Sequence, residues 1–105
     1  TSVIERVQNY IDAHLAEYIS GTELAAMVSL NPSYVSRLFK AETGYAVTEY
    51  INEARIKKAC EMLATTDAQV IDIALSVGYN SISYFNRTFK AHAGMTPKRY
   101  RRERR

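Results

Sequence analysis

The segment SYVSRLFKAETG at residues 33–44 returns as SYFNRTFKAHAG at residues 83–94. Seven pairs are identical at one offset: Ser33/Ser83, Tyr34/Tyr84, Arg37/Arg87, Phe39/Phe89, Lys40/Lys90, Ala41/Ala91 and Gly44/Gly94. A hydrophobic core requires only apolar residues at the repeat period. An arginine, a lysine and a small polar residue held at the same phase imply that something outside the core is met twice. With 105 residues, the chain has room for one ordinary domain, or for two very small ones that support each other.

The pattern is helical throughout. Val3, Ile4, Val7, Ile11 and Leu15 recur at three- and four-residue steps from Ser2 to about Glu17 and form one apolar stripe. Ser20-Gly21-Thr22-Glu23 reads as a capping box that starts a two-turn helix with Leu24, Ala25 and Val28. Asn31-Pro32 supplies an N-cap and a first-turn proline for a third helix, which runs to Gly44. Val47 to about Thr66 is the longest stretch without a breaker, with Val47, Tyr50, Ile51, Ala54, Ala59 and Leu63 on its apolar side. The plan then repeats. A short helix spans Val70–Leu75 and ends at Val77-Gly78, a helix capped by Ser81 ends at Gly94, and Thr96-Pro97 opens a last helix leading into the tail KRYRRERR. The expected fold is all-α, with seven helices and no strand. Residues 1–45 make one helix-turn-helix subdomain, 46–66 a connecting helix, and 67–105 a second subdomain with a basic tail; the units are homeodomain-like.

Two short helices joined by a tight turn, the second showing polar residues near its start, place that second helix in a DNA major groove. Counted from the caps Asn31 and Ser81, positions 4 and 8 are Val35/Phe39 and Phe85/Phe89, which share a buried stripe. Positions 2, 5, 6 and 9 fall on the opposite side: Ser33, Ser36, Arg37 and Lys40, then Ser83, Asn86, Arg87 and Lys90. Small residues at 2 and 5 let the backbone approach the groove. Arginine at 6 offers a forked pair of bonds to guanine, and Asn86 suits adenine. Lys40 and Lys90 suit phosphates better than bases, and Tyr34 and Tyr84 read as half-buried packing residues. The connecting helix, at about 1.5 Å per residue, spans about 30 Å. Successive major-groove faces lie about 34 Å apart, so one chain could read two adjacent grooves.

Charge agrees with a polyanionic partner. Residues 1–52 hold three Lys/Arg against six Asp/Glu, whereas residues 53–105 hold eleven against five. Cys60 is the sole cysteine, which excludes an internal disulfide, and it reads as a small buried residue. His14 and His92 lack Cys or carboxylate at ligand spacing, so no metal is expected. No cofactor is expected either, and no nucleophile–base pair, phosphate loop or paired-carboxylate site supports an enzyme. No apolar run approaches the ~20 residues of a membrane span, and nothing argues for secretion; a cytoplasmic location is expected.

The run GYNSISYFNRTFKAHAGMTPKRYR at 78–101 resembles the signature of the AraC/XylS family of bacterial transcription regulators. The resemblance extends over EYINEARIKKACEMLATTD and VIDIALSVGY, and so over almost the whole chain. It implies a seven-helix domain with two helix-turn-helix units that binds asymmetric promoter sites in double-stranded DNA and usually activates transcription by touching RNA polymerase. By the same resemblance, base contacts fall on Pro32, Ser33, Ser36 and Arg37, and on Ile82, Ser83, Asn86 and Arg87. Phosphate contacts are assigned to Asn31, Lys40, Val47, Ser81, Lys90, Thr96 and Lys98, several of them at helix N-termini that favour an anion. A sensing or dimerisation domain usually precedes such a domain, and the start at Thr1 rather than Met agrees with one. The first half departs from the pattern: Ala46 stands where the second half has Thr96, which removes a side-chain cap worth about 1 kcal/mol.

The basic tail reads either as a frayed, solvated end, with its last four residues unordered, or as a phosphate clamp. The rival to DNA binding is a helical protein-interaction module on the same scaffold; retention of Arg87 and Lys90 in a strongly basic half opposes it. Phe39 and Phe89 are expected to anchor their units, and Phe→Ala at either should cost on the order of 3–5 kcal/mol. A thermal melt that hardly moves would show the helix phase, and every outward position with it, to be wrong.

Overall fold

A computed structural model describes residues 2–105, in which seven helices and no strand are found. They are α1 (Val3–Ala13), α2 (Gly21–Met27), α3 (Pro32–Thr43), α4 (Val47–Thr65), α5 (Val70–Ser76), α6 (Ile82–Ala93) and α7 (Pro97–Arg104). The chain divides into two units within α4, the first running through Ile51 and the second covering Asn52–Arg105.

In the first unit, Ile4, Val7 and Ile11 of α1 pack with Leu24 and Ala25 of α2, Val35 and Phe39 of α3, and Ile51 of α4. The Asn31 side chain caps α3 by accepting from the Ser33 and Tyr34 amides at 2.8 and 3.4 Å. Gly44 closes the helix in the left-handed region at φ 84°. The α2–α3 turn is a Schellman motif: the Leu30 amide donates to the Ala25 carbonyl, and the Ser29 amide to that of Ala26. Ser29 itself sits at φ 58°, a conformation that costs a non-glycine residue on the order of 1 kcal/mol.

The second unit repeats the plan, with the later turns of α4 in the role of α1. Ile56, Ala59 and Leu63 pack with Ile73 and Ala74 of α5, Val77, Tyr79, and Phe85 and Phe89 of α6. Its turn makes the same Schellman pair, Tyr79 to Ala74 and Gly78 to Leu75, with a glycine at the left-handed position. This turn is one residue longer: Leu30 is followed directly by the cap Asn31, whereas Asn80 separates Tyr79 from the cap Ser81. On α5, Ile71 and Leu75 stay about half exposed, where α2 carries Thr22 and Ala26.

Four details depart from the expectations. α1 stops at Ala13, not near Glu17, because His14 leaves the helical region and its ring Nδ1 lies 2.8 Å from the Tyr10 carbonyl. Leu15 still packs against the core from outside the helix. At α2 the Ser20 oxygen takes the Glu23 amide at 3.1 Å, but the box made in both directions belongs to Ser2 and Glu5 on α1. Along α4 the buried stripe breaks between Ile51 and Ile56, five positions rather than three or four, so Ile56 escapes a search for one continuous stripe. Cys60 is half-buried rather than buried, beside Tyr100, and desolvation pushes its thiol above the usual range.

The tail is neither frayed nor free. The last carbonyls of a helix lack intrahelical donors, and arginines supply them for α4. Arg101 donates to the Leu63 carbonyl at 3.1 Å and to that of Thr66 at 3.0 Å. Arg105 donates to the Thr66 carbonyl at 2.7 Å and pairs with Asp67. Arg101→Ala should therefore cost about 1–3 kcal/mol of stability, while Arg102→Ala, at an exposed position, should stay within about 0.5 kcal/mol. Equal melting temperatures for the two variants would contradict this division of the tail.

Candidate nucleic-acid interface

The orientation of α3 and α6 follows from two buried side chains in each. Val35 and Phe39, and Phe85 and Phe89, are at most 2% exposed. A residue of the next helix then braces the phenylalanine at the second position edge-on: Tyr50 on Phe39 at 5.4 Å and 79°, Tyr100 on Phe89 at 5.7 Å and 82°. Such contacts contribute about 0.5–1.5 kcal/mol beyond area burial. The tyrosines stand fifty residues apart, as the phenylalanines do, so the repeat runs beyond the segments that show it by identity. Sequence reasoning had Tyr50 on an apolar side but gave Tyr100 no role.

With the rings inward, the other face is open. Pro32, Ser33, Ser36 and Arg37 are exposed on α3, and Ile82, Ser83, Asn86 and Arg87 on α6. From residue 31 to 40 and from 81 to 90, the order of exposed, half-buried and buried residues is the same at all ten positions. Arg37, Lys40, Arg87 and Lys90 form no hydrogen bond or ion pair with any described residue. Tyr34 and Tyr84 are 45% and 43% exposed. In the first unit, a cavity of about 220 Å³ lies where α2, α3 and α4 begin, and Pro32, Ser36 and Val47 line it together.

The residues assigned to phosphates differ in what they can offer. Ser81 and Thr96 accept the Tyr84 and Arg99 amides at 3.1 and 3.2 Å, which leaves each hydroxyl proton free to donate outward. Asn31 uses its oxygen as a cap and retains its NH2 group. Lys98 is exposed on the first turn of α7. Val47 is half-buried, and its surroundings are less favourable to an anion, because the Glu49 carboxylate accepts the Ala46 amide at 2.8 Å. Glu49 thus satisfies the Ala46 amide, not the first-turn amide that a hydroxyl at 46 would take, and brings a negative charge to the start of α4.

The basic surplus of the second unit is partly internal. Arg101 and Arg105 hold the end of α4, Arg99 pairs with Glu103, Arg104 lies over Tyr100, and Arg55 over Tyr79. Among the described residues that leaves Lys57, Lys58, Arg87, Lys90, Lys98 and Arg102 to face a partner. Burial pushes the Tyr79 hydroxyl up to about 12, against the opposing effect of Arg55. No group of three His, Cys, Asp or Glu among the described residues could hold a metal, and no helix is long and apolar enough to cross a membrane.

A model of the helix-turn-helix domain matches residues 24–103, which includes both turns and both outward faces. The C-terminal domain of AraT, a response regulator from Geobacillus stearothermophilus, superposes with a TM-score of 0.94 at 31% identity, over 99% of this chain and 87% of that one. The chain belongs to the AraC/XylS family. It is similar to Regulatory protein PocR of Salmonella typhimurium, with 33% identity over 102 residues, 97% of this chain and 34% of that protein. The DNA-binding domain of AdpA, solved with a target DNA, superposes with a TM-score of 0.92 at 25% identity, over 98% of this chain and 93% of that one. The chain spans only 34% and 14% of the lengths of curated relatives that it matches. Two helix-turn-helix units of an AraC-type domain thus make this a DNA-binding domain of transcription regulation and not an enzyme. The protein-interaction module is set aside.

Glu49 distinguishes the two halves of this AraC-type domain. If the start of α4 meets a phosphate, Glu49→Gln should tighten DNA binding about two- to fivefold at low salt, since a charge at a helix N-terminus is worth about 0.3–1 kcal/mol. The gain should shrink as salt rises. Unchanged affinity in a titration at low ionic strength would remove Val47 from the phosphate contacts.

Proposed function

We propose that this AraC-type domain reads one asymmetric site of about two helical turns, with α3 and α6 entering adjacent major grooves. The observation that carries the reading is the duplicated outward face: Arg37 and Lys40, and Arg87 and Lys90, lie without a partner among the described residues, at one phase on two helices of equal length. α4 rises about 28 Å over its nineteen residues, close to the spacing of groove faces. Base contacts are assigned to Pro32, Ser33, Ser36 and Arg37, and to Ile82, Ser83, Asn86 and Arg87. Ile82 suits a thymine methyl group. Phosphates are assigned to Asn31, Lys40, Val47, Ser81, Lys90, Thr96 and Lys98. In functional terms, residues 1–45 and 67–105 are the readers and 46–66 their connector.

We further propose that the protein acts in the cytoplasm as an activator that contacts RNA polymerase, under the control of a sensing or dimerisation domain N-terminal to this one. Family membership supports this, as does the small share of its curated relatives that the chain spans.

Arg87→Ala tests the reading. It should cost about 1–3 kcal/mol of specific binding and relax preference at one base pair, with helicity unchanged because Arg87 faces outward. Sites can be selected from a random oligonucleotide pool and titrated against both proteins. Equal affinity for the selected site would remove α6 from the groove.

A further inference from the structure

Unit two contains a polar relay that unit one lacks. The Tyr79 hydroxyl donates to Asn52 Oδ1 at 2.8 Å, and Asn52 Nδ2 donates to the Tyr84 hydroxyl at 3.3 Å. The donors run in one direction, from the turn, through α4, to the third residue of α6. Tyr84 therefore receives a hydrogen bond on its oxygen, and its own proton meets no acceptor among the described residues. A hydroxyl that accepts one bond becomes a better donor for the next. The Arg55 guanidinium lies 5.6 Å from the centre of the Tyr79 ring, and its charge is felt at both tyrosines. Tyr79 is 3% exposed and Tyr84 is 43% exposed, so the relay begins in the core and ends at the surface. It ends one residue from Ser83, beside the base-reading face.

In unit one the same places carry Leu30 and Tyr34. Leu30 has no hydroxyl to begin a relay, and the Tyr34 side chain makes no hydrogen bond with any described residue. The helix-turn-helix fold thus forms without this network, and its presence in one unit calls for another explanation.

We propose that the Tyr84 hydroxyl, oriented by Asn52, donates to a backbone phosphate of the DNA beside the groove that α6 reads. The inference rests on α6 lying in that groove. Tyr84 is the contacting residue, and Asn52 is a positioning residue acting through it. A neutral donor on a phosphate adds affinity without base preference. It also releases no counterion of its own.

Tyr84→Phe removes a single exposed oxygen and should leave the thermal melt in place. Its affinity for the selected duplex should fall about tenfold, as expected for a hydrogen bond to a charged group, with base preference and salt dependence unchanged. Asn52→Ala should weaken binding in the same direction, and combining the two should cost no more than Tyr84→Phe alone. A series of duplexes with single methylphosphonate linkages then locates the contact: one linkage should weaken the parent protein and cost Tyr84→Phe nothing further. Affinity within twofold of the parent, an altered base preference, or equal further losses at every linkage would overturn the proposal. Arg87→Ala, titrated alongside, separates the levels. If it weakens binding while Tyr84→Phe does not, only the phosphate contact fails; if neither does, the placement of α6 fails too.

Discussion

One buried ring sets the rotation of α3, and another that of α6, about the helix axis. Phe39 and Phe89 are fully buried, each is four residues from a second buried side chain, and each meets a tyrosine edge-on from the following helix. A helix held at two points four residues apart cannot turn without opening its core. The outward set at positions 2, 5, 6 and 9 is then determined by geometry alone. Serine, asparagine, arginine and lysine at those positions contribute little to stability. They are free to be chosen for what they touch, and the packing of a small core thereby decides which side chains face outward.

The two units hold the same frame with different means. Unit two has glycine at its left-handed turn residue, a threonine cap on its last helix, and arginines on the exposed carbonyls of α4. Unit one has Ser29 at the strained position, and at the start of α4 it has Ala46 without a hydroxyl, its amide held by Glu49. Each substitution preserves the fold. Each also changes what an approaching phosphate would meet, because Thr96 can donate a proton where Glu49 presents a negative charge. The internal repeat thus serves as its own control, since whatever one unit lacks, the fold does not require.

Much of this was legible in the order of residues. Asn31, Pro32 and Gly44, and Ser81 and Gly94, mark the ends of α3 and α6 where the structure has them, because caps and left-handed glycines act locally. The outward positions could be enumerated for the same reason. Contacts between distant residues were not legible. Arg101 reaches a carbonyl 38 positions away, and Tyr79 reaches Asn52 across 27, and no local pattern announces either. The tail therefore read as a solvated end or a phosphate clamp, although the orphan carbonyls of α4 require donors. Ile56 was missed because α4 carries two buried stripes of different phase. α1 looked longer than it is because Leu15 keeps the helical period after the helix has ended.

The central claim is that one chain reads two grooves. Guanine N7 methylation protection on a selected asymmetric duplex, in a complex shown to be one protein per duplex, tests it most directly. Two clusters of protection should appear about ten base pairs apart on one side of the helix, the one at α6 vanishing with Arg87→Ala and the other persisting. A single cluster from the one-to-one complex, or two clusters only when two chains are bound, would contradict it.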